Sequence, residues 1–233
     1  MMNESIIKIQ NTDTELQLLT CYLKEMYEDT KWNNRLIYFD PNYPNYLQNI
    51  INLDNNLFYW LRYGNETIGF MHLIIKENEL YLNNIFLLKS FQNKKLAPKF
   101  IYTVINQYNK EFFSLNVFQS NDRALKWYLK LGMKIHEDTF FYEAKNSDAN
   151  SEGYDIRDDS AGFKSVFIGE NKIATVINDQ SVMLHDPNIM LNFKNYNFVI
   201  TKSNEMIISD NLSLWDISHK MLISTPTVLR NLK

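Results

Sequence analysis

Cysteine is almost absent from this chain of 233 residues, which contains only Cys21. One cysteine cannot form an intrachain disulfide, so nothing indicates folding in an oxidising compartment, and we expect Cys21 to be a small buried residue. No run approaches the roughly 18 apolar residues of a membrane span, and residues 1–15 lack the basic and apolar regions of a signal peptide. We therefore expect a cytoplasmic location and no membrane partner.

An excess of positive charge is also missing. The chain carries 24 Lys and Arg against 27 Asp and Glu, a net charge of −3 at pH 7. Proteins that neutralise many nucleic-acid phosphates carry a basic surface, so nucleic acid is not an expected partner. The sequence shows no Cys/His cluster with metal-ligand spacing, no G-x-S-x-G elbow and no G-x-x-x-x-G-K-[ST] loop, so we expect no metal.

The residues that are present predict an ordered protein, since 45% are hydrophobic and 14% aromatic. Residues 5–10 alternate as a strand and precede a helical pattern that reaches residue 26. Residues 57–63, 67–76 and 80–88 read as three strands joined by polar turns. A helix over 95–108, a strand over 112–118, a helix over 122–131 and a strand over 133–144 follow. Between them, residues 32–45 read as a loop that contains two prolines, and residues 46–53 as a short helix.

The pattern changes after "NSDANSEG", residues 146–153, which we interpret as a linker. Short strands follow: one hairpin is predicted about residues 169–171, another about residues 203–205, and further strands over 182–185, 213–217 and 221–224. No sequence repeat joins the two halves. The prediction is an α+β (α/β) fold with domains at 1–145 and 154–233, the second small and β-rich with hardly any helix.

One junction carries the strongest functional signal. The strand over 112–118 is followed by Asn121, which is suited to cap a helix, and apolar residues then recur with helical spacing and include Tyr128. Gly132 ends the pattern as a typical helix stop. Helix capping and core packing alone explain these residues.

The order of residues here, Asn121-x-x-Ala124-x-x-x-Tyr128-x-x-x-Gly132-Met133, resembles a signature of the GNAT acyltransferase superfamily. The resemblance covers about residues 6–144 and implies a mixed, mostly antiparallel sheet flanked by helices. It also implies that Asn121 contacts coenzyme A and that Tyr128 is the general acid. A phenol of pKa about 10 is protonated at neutral pH and suits that role.

The second signature of that superfamily is a glycine-rich turn, Q/R-x-x-G-x-G/A, whose backbone amides hold the CoA pyrophosphate at a helix N-terminus. Lys95 replaces the central glycine here. A left-handed Lys95 would cost about 1 to 2 kcal/mol, whereas Asn93 accepts that geometry and Lys94 adds positive charge. The alternative is an ordinary solvated lysine pair. The resemblance assigns CoA contacts to six residues: Gln92, Asn93, Lys94, Lys95, Leu96 and Ala97.

The resemblance also implies a bulge in the fourth strand, whose amides at Ile85, Phe86 and Leu87 would bind pantetheine and polarise the thioester. Many members place a glutamate where this chain has Asn83, which cannot act as a base but can orient water. Glu79 and His72 are the alternative bases. A solvated turn residue and a structural strand histidine are the competing interpretations.

These observations predict an N-acyltransferase that uses acetyl-CoA as co-substrate, with a small-molecule or protein amine as acceptor. The second hypothesis is a catalytically inactive CoA-binding or regulatory module that acts through its β-rich tail. A third gives the function to the tail itself, which would bind another protein or form a homodimer. The missing glycines and the absent strand glutamate motivate the second hypothesis.

Overall fold

The computed structural model describes residues 4–145, 154–189, 193 and 196–233. The helices are α1 (Asp13–Glu28), α2 (Tyr43–Ile50), α3 (Leu96–Ile105), α4 (Asp122–Lys130) and α5 (Thr225–Asn231). The strands are β1 (Glu4–Lys8), β2 (Asn56–Tyr63), β3 (Glu66–Ile75), β4 (Glu79–Leu87), β5 (Phe112–Phe118), β6 (Lys134–Ala144), β7 (Asp155–Asp158), β8 (Lys164–Ile168), β9 (Asn171–Val176), β10 (Ser181–Leu184), β11 (Phe198–Ser203) and β12 (Leu212–Ser224). None of the helices in the described ranges is long and apolar enough to cross a membrane.

The chain divides into two compact units. The first unit contains Met1–Tyr22, Gln48–Glu137 and His219–Lys233, and the second contains Leu23–Leu47 and Asp138–Ser218. This division differs from the predicted boundary at 145–154. The last residues of β12 and all of α5 belong to the first unit, because β12 lies next to β5 and the amide of Thr225 donates to the carbonyl of Glu111 at 2.9 Å.

In the first unit, β1, β2, β3 and β4 pair as antiparallel neighbours, and β4 then pairs with β5 in parallel. A parallel pair needs a crossover connection, which α3 supplies. The apolar face of α3 enters the core through Phe100, Ile101 and Val104, and these pack with Leu82 and Leu115 of the parallel strands. The predicted helix and strands of residues 4–144 are therefore present, with shifts of a few residues at their ends.

The second unit repeats this strand order. β7, β8, β9 and β10 are antiparallel neighbours, and β10 pairs with β11 in parallel. β11 also pairs with β6 in antiparallel orientation. Its own core contains Val166, Ala174, Val182 and Val199. The structure thus contains a repeat of topology that the sequence does not display.

Several expectations were wrong. The hairpin about residues 203–205 does not form, because β11 is followed by an irregular segment in which the amide of Ile207 donates to the hydroxyl of Tyr142 at 2.7 Å. The two strands predicted over 213–224 are the single strand β12, and α5 was missed because it has only seven residues. Cys21 is exposed, and α2 starts at Tyr43, with Pro44 in its first turn where proline is tolerated. The predicted linker lies outside the described residues.

Candidate active site

The two parallel strands of the first unit part at Asn83. β4 and β5 are in register from Glu79, opposite Phe112, to Leu82, opposite Leu115, and their pairing stops there. On the other side of β4, the register with β3 shifts at the same place, so that Asn83 has no partner on β3. One unpaired residue is a β-bulge, which bends its strand and disrupts the ladder. The bulge that the resemblance implied is therefore present.

Asn83 is held by hydrogen bonds from its amide nitrogen. Its Nδ2 donates to Nδ1 of His72 at 2.9 Å and to Oδ1 of Asn84 at 2.8 Å. The ring of His72 stacks on Phe58 with centroids 3.8 Å apart, and its Nε2 lies 2.8 Å from Oδ1 of Asn56. Polar side chains from three neighbouring strands thus form one network at the bulge.

His72 is a neutral member of this network. Only 5% of the residue is exposed, and burial lowers its pKa to about 3, although a contact with the Asn84 amide acts in the opposite direction. An imidazole with so low a pKa does not take up a proton at neutral pH. A lowered pKa does not favour His72 as the alternative base, and its Nδ1 accepts the hydrogen bond from Asn83.

Beyond the bulge, the backbone of β4 lies very close to the backbone of β3. Phe86 pairs with Phe70, and Leu87 pairs with Gly69. A Cβ atom on Gly69 would lie 2.0 Å from the carbonyl oxygen of Phe86, so only glycine permits this approach. On the β5 side, Ile85, Phe86 and Leu87 have no strand partner among the described residues. Their backbone groups on that side remain for a ligand.

The turn before α3 has the backbone geometry of a glycine-rich turn without its glycines. Asn93 and Lys95 have φ values of 62° and 59°, both left-handed. Lys95 therefore adopts the left-handed conformation whose cost was considered from the sequence. Lys95 is also the N-cap residue, and no side chain among the described residues caps α3, so its first amides, on Leu96 and Ala97, have no side-chain acceptor.

Arg123 connects this turn to α4. One guanidinium nitrogen donates to Oε1 of Gln92 at 2.9 Å and another to Oδ1 of Asn93 at 2.6 Å, while Nε2 of Gln92 donates to the carbonyl of Leu87 at 2.8 Å. Arg123 was not among the residues predicted from the sequence. Its signal was a cation in the first turn of a helix, where the helix dipole disfavours positive charge. Such a residue indicates an interaction elsewhere.

Asn121 and Tyr128 occupy the expected positions on α4. Oδ1 of Asn121 accepts a hydrogen bond from the amide of Ala124 at 3.3 Å, so its side chain caps the helix. Tyr128 is buried, and burial raises the pKa of its phenol well above the usual value. Its hydroxyl makes no hydrogen bond within the described part of the chain, and only 7% of the residue is exposed.

These features coincide with a family match. The model of the Acetyltransferase (GNAT) family matches residues 23–133. Those residues belong to the GNAT family. The match includes the bulge at Asn83, the left-handed turn before α3 and Tyr128. No curated protein matches the chain at the level of sequence.

Solved structures extend the likeness to the whole chain. A tandem GNAT protein from the clavulanic acid biosynthesis pathway superposes with a TM-score of 0.67 at 7% identity, covering 96% of this chain and 99% of that one. Spermidine N-acetyltransferase from Vibrio cholerae, in complex with CoA and spermine, gives 0.51 at 11% identity, covering 97% and 98%. At such identities the likeness concerns the fold, and the repeated strand order of the second unit agrees with a two-domain GNAT-like architecture.

The GNAT pattern also shows where this chain departs from the family. Glu79 lies at the start of β4, four residues before Asn83, which corresponds to roughly 13 Å along a strand. Its Oε1 accepts from Lys76 at 2.6 Å. Partial burial raises the pKa of Glu79, but hydrogen bonds from Lys76 and Ser114 together with the charges of Lys76 and Lys220 lower it overall. The structure therefore does not bring Glu79 together with Asn83.

Within the described ranges, no group of three or more His, Cys, Asp or Glu residues has the arrangement of a metal site.

Proposed function

We propose that this chain is an N-acetyltransferase that moves the acetyl group of acetyl-CoA directly to an amine, with Tyr128 as general acid. The observation that carries the proposal is that β4 parts from β5 at the Asn83 bulge. The N-terminus of α3, which follows β4, has no side-chain cap. Spermidine N-acetyltransferase, a structural neighbour, was solved with CoA and spermine, which supports a CoA thioester and an amine as the two substrates here.

The proposed pyrophosphate site is the turn of residues 92–97. The left-handed Asn93 and Lys95 and the uncapped first amides of α3 provide backbone donors at the positive end of a helix dipole. The exposed Lys94 and Lys95 add charge in place of the closer backbone approach that glycines permit. The pantetheine arm would extend along the unpaired side of Ile85, Phe86 and Leu87, where an amide can polarise the thioester carbonyl.

The proposed reaction balances its protons through Tyr128. A neutral amine attacks the thioester carbonyl, and the tetrahedral intermediate expels the CoA thiolate. Tyr128 donates its proton to the sulfur, and the nitrogen, which becomes an amide, loses one proton and restores the phenol. The raised pKa of Tyr128 keeps the acid protonated until the thiolate forms. Asn121 would contribute through the position of α4, since its side chain is engaged as the cap.

The first test is calorimetric titration with acetyl-CoA. The variant Lys94→Ala/Lys95→Ala should bind about tenfold more weakly at one fixed, low salt concentration, because it loses two cations beside the phosphates. The matched control is Lys130→Ala/Lys134→Ala, which removes the same charge from exposed positions of the first unit. Equal weakening in both variants would argue against a site at the turn.

The second test is release of free CoA with a panel of small amines, polyamines and N-terminal peptide amines. Turnover above the buffer blank supports the enzyme. Tight binding of acetyl-CoA with release at the blank rate for every amine would instead favour the non-catalytic alternative. Truncation after Ala144 cannot separate these hypotheses, since it removes α5 and part of β12 from the first unit.

A further inference from the structure

The hydrogen bonds of the network at the bulge all run the same way, with Asn83 donating to His72, His72 to Asn56 and Asn56 to Asn55. Nδ2 of Asn56 donates to Oδ1 of Asn55 at 3.0 Å, so the carbonyl oxygen of Asn56 is the atom that faces His72. That oxygen can only accept, which places the ring proton of His72 on Nε2. Nδ1 of His72 is then an acceptor and takes a hydrogen bond from Nδ2 of Asn83, while the side chain of Asn84 also contacts the ring. Each group therefore fixes the orientation of the next.

Oδ1 of Asn83 lies at the end of this series of hydrogen bonds. Both hydrogen bonds of this side chain leave from Nδ2, toward His72 and Asn84, and Oδ1 makes none with the residues that the structure describes. A flipped amide would turn Oδ1 toward the oxygen of Asn84, which is repulsive. Asn83 is partly exposed and is the residue at which β4 parts from β5. A fixed, unfilled acceptor thus lies at the opening.

We infer that Oδ1 of Asn83 accepts a hydrogen bond from the N–H of the nucleophilic amine, and that Asn56 and His72 are positioning residues that hold this oxygen in place. The inference deepens the proposed function and rests on it. The inference also specifies the protonation state of the amine that accepts the acetyl group. A carbonyl oxygen can accept a hydrogen bond from an N–H group but cannot remove a proton from an ammonium ion. The amine must therefore arrive in its neutral form.

The requirement for a neutral amine selects a substrate class. The relay holds no group that titrates near neutral pH, since the pKa of His72 is about 3. At pH 7 an α-amino group of pKa near 8 is neutral in about one molecule in ten, whereas a lysine-like amine of pKa about 10.4 is neutral in roughly one in 2500. The neutral, reactive fraction of an α-amino group at pH 7 is thus about two orders of magnitude larger than that of a simple alkylamine, which favours α-amino acceptors at a site without a base.

The orientation is tested without any substrate. Nitrogen-15 NMR of His72 in the wild-type protein should show the tautomer with the proton on Nε2 between pH 6 and 8. In Asn83→Asp, the carboxylate can only accept, so the proton should move to Nδ1 or the ring should become charged. A wild-type ring protonated on Nδ1, or a spectrum unchanged in Asn83→Asp, would overturn the relay.

The amine contact is tested by CoA release at pH 7 with alanine amide and propylamine as probes. Wild-type kcat/KM should favour alanine amide by about a hundredfold. Asn83→Ala and His72→Leu should each lower kcat/KM for alanine amide about tenfold, with the KM for acetyl-CoA unchanged. His72→Gln should restore most of the loss, because an amide can accept from Asn83 and donate to Asn56. Asn109→Ala, on an exposed loop, is the control.

The possible results distinguish a failure of the amine contact from a failure of the acetyltransferase proposal. Equal kcat/KM for the two amines, or an unchanged value in Asn83→Ala, would overturn the contact while leaving the acetyltransferase in place. No CoA release from the wild type with either amine would overturn the amine contact together with the enzyme proposal. The tautomer measurement would still decide the orientation of the relay in that case.

Discussion

The two parallel strand pairs of this protein share a topology and differ in the features on which the proposed thioester site rests. β4 and β5 follow three antiparallel strands, and so do β10 and β11. In the first unit the crossover contains a ten-residue helix with a left-handed, lysine-rich turn before it. In the second unit, residues 185–197 make the crossover, and those that the structure describes form no helix.

The strand edges differ as well. β4 carries a bulge at Asn83 and leaves β5 after four paired residues, whereas β10 pairs with β9 without a register shift. A parallel pair therefore provides a core but not a site. The proposed chemistry depends on a bulge and a helix N-terminus at the same strand end, and the following paired variants test that difference.

The largest difference is expected between two buried tyrosines. Tyr128→Phe in the first unit should lower kcat about 10² to 10⁴-fold while acetyl-CoA binding stays unchanged, because only the proposed acid is lost. Tyr142→Phe in the second unit should leave kcat unchanged and reduce stability by about 1 to 3 kcal/mol, since the amide of Ile207 loses its acceptor. Steady-state kinetics and urea unfolding measure both. Unchanged turnover in Tyr128→Phe would remove the acid assignment.

Two glycines give the next comparison. Gly69→Ala should destabilise the first unit by roughly 3 kcal/mol, because its Cβ would lie 2.0 Å from the backbone oxygen of Phe86 and strand β4 must shift. Gly169→Ala in the second unit should cost only about 1 to 2 kcal/mol, since its φ is +59° but nothing lies within 4 Å. Thermal unfolding measures the ranking, and a smaller loss for Gly69→Ala than for Gly169→Ala would contradict it.

Two histidines, one in each unit, should contribute differently to the pH dependence of the free energy of unfolding. The folded-state pKa of His72, about 3, lies below the unfolded value near 6.5, so its contribution to stability is complete above pH 6.5 and is lost as pH falls toward 3. In urea unfolding, His72→Gln should flatten the decline over that interval. Burial and the charge of Lys172 also lower the pKa of His185, but this side chain is more exposed, so His185→Gln should flatten the decline less. Parallel profiles for wild type and His72→Gln would refute the prediction.

The smallest effects are expected for two exposed arginines. Arg123→Ala should raise the Kd for acetyl-CoA about threefold, because Gln92 and Asn93 lose the contacts that fix the turn. Arg157→Ala, which loses bonds to Gly169 and Glu170, should leave that Kd unchanged. Calorimetry at one salt concentration measures both, and a stronger effect from Arg157 would place the phosphate site in the second unit.

Local features of the site were predictable from the sequence. The cap at Asn121, the stripe that contains Tyr128 and the stop at Gly132 depend on residues within three turns of one helix. The resemblance places Lys95 at a glycine position, which raised the question of a left-handed conformation that the structure answers with a φ of 59°. The roles of His72 and Arg123 were not predictable, since their partners lie 11 to 31 residues away and are chosen by strand register and helix placement.

By itself, the sequence determined the helices other than α5, most strands and the family of residues 23–133, because dihedral preferences and apolar periodicity act over neighbouring residues. Tertiary structure alone decided which unit receives α5 and the last residues of β12, that the second unit repeats the strand order of the first, and which way Asn83 points. Strand pairing depends on which distant apolar surfaces are buried together, and a side-chain amide takes its orientation from partners on other strands. Neither is written in a local pattern of residues.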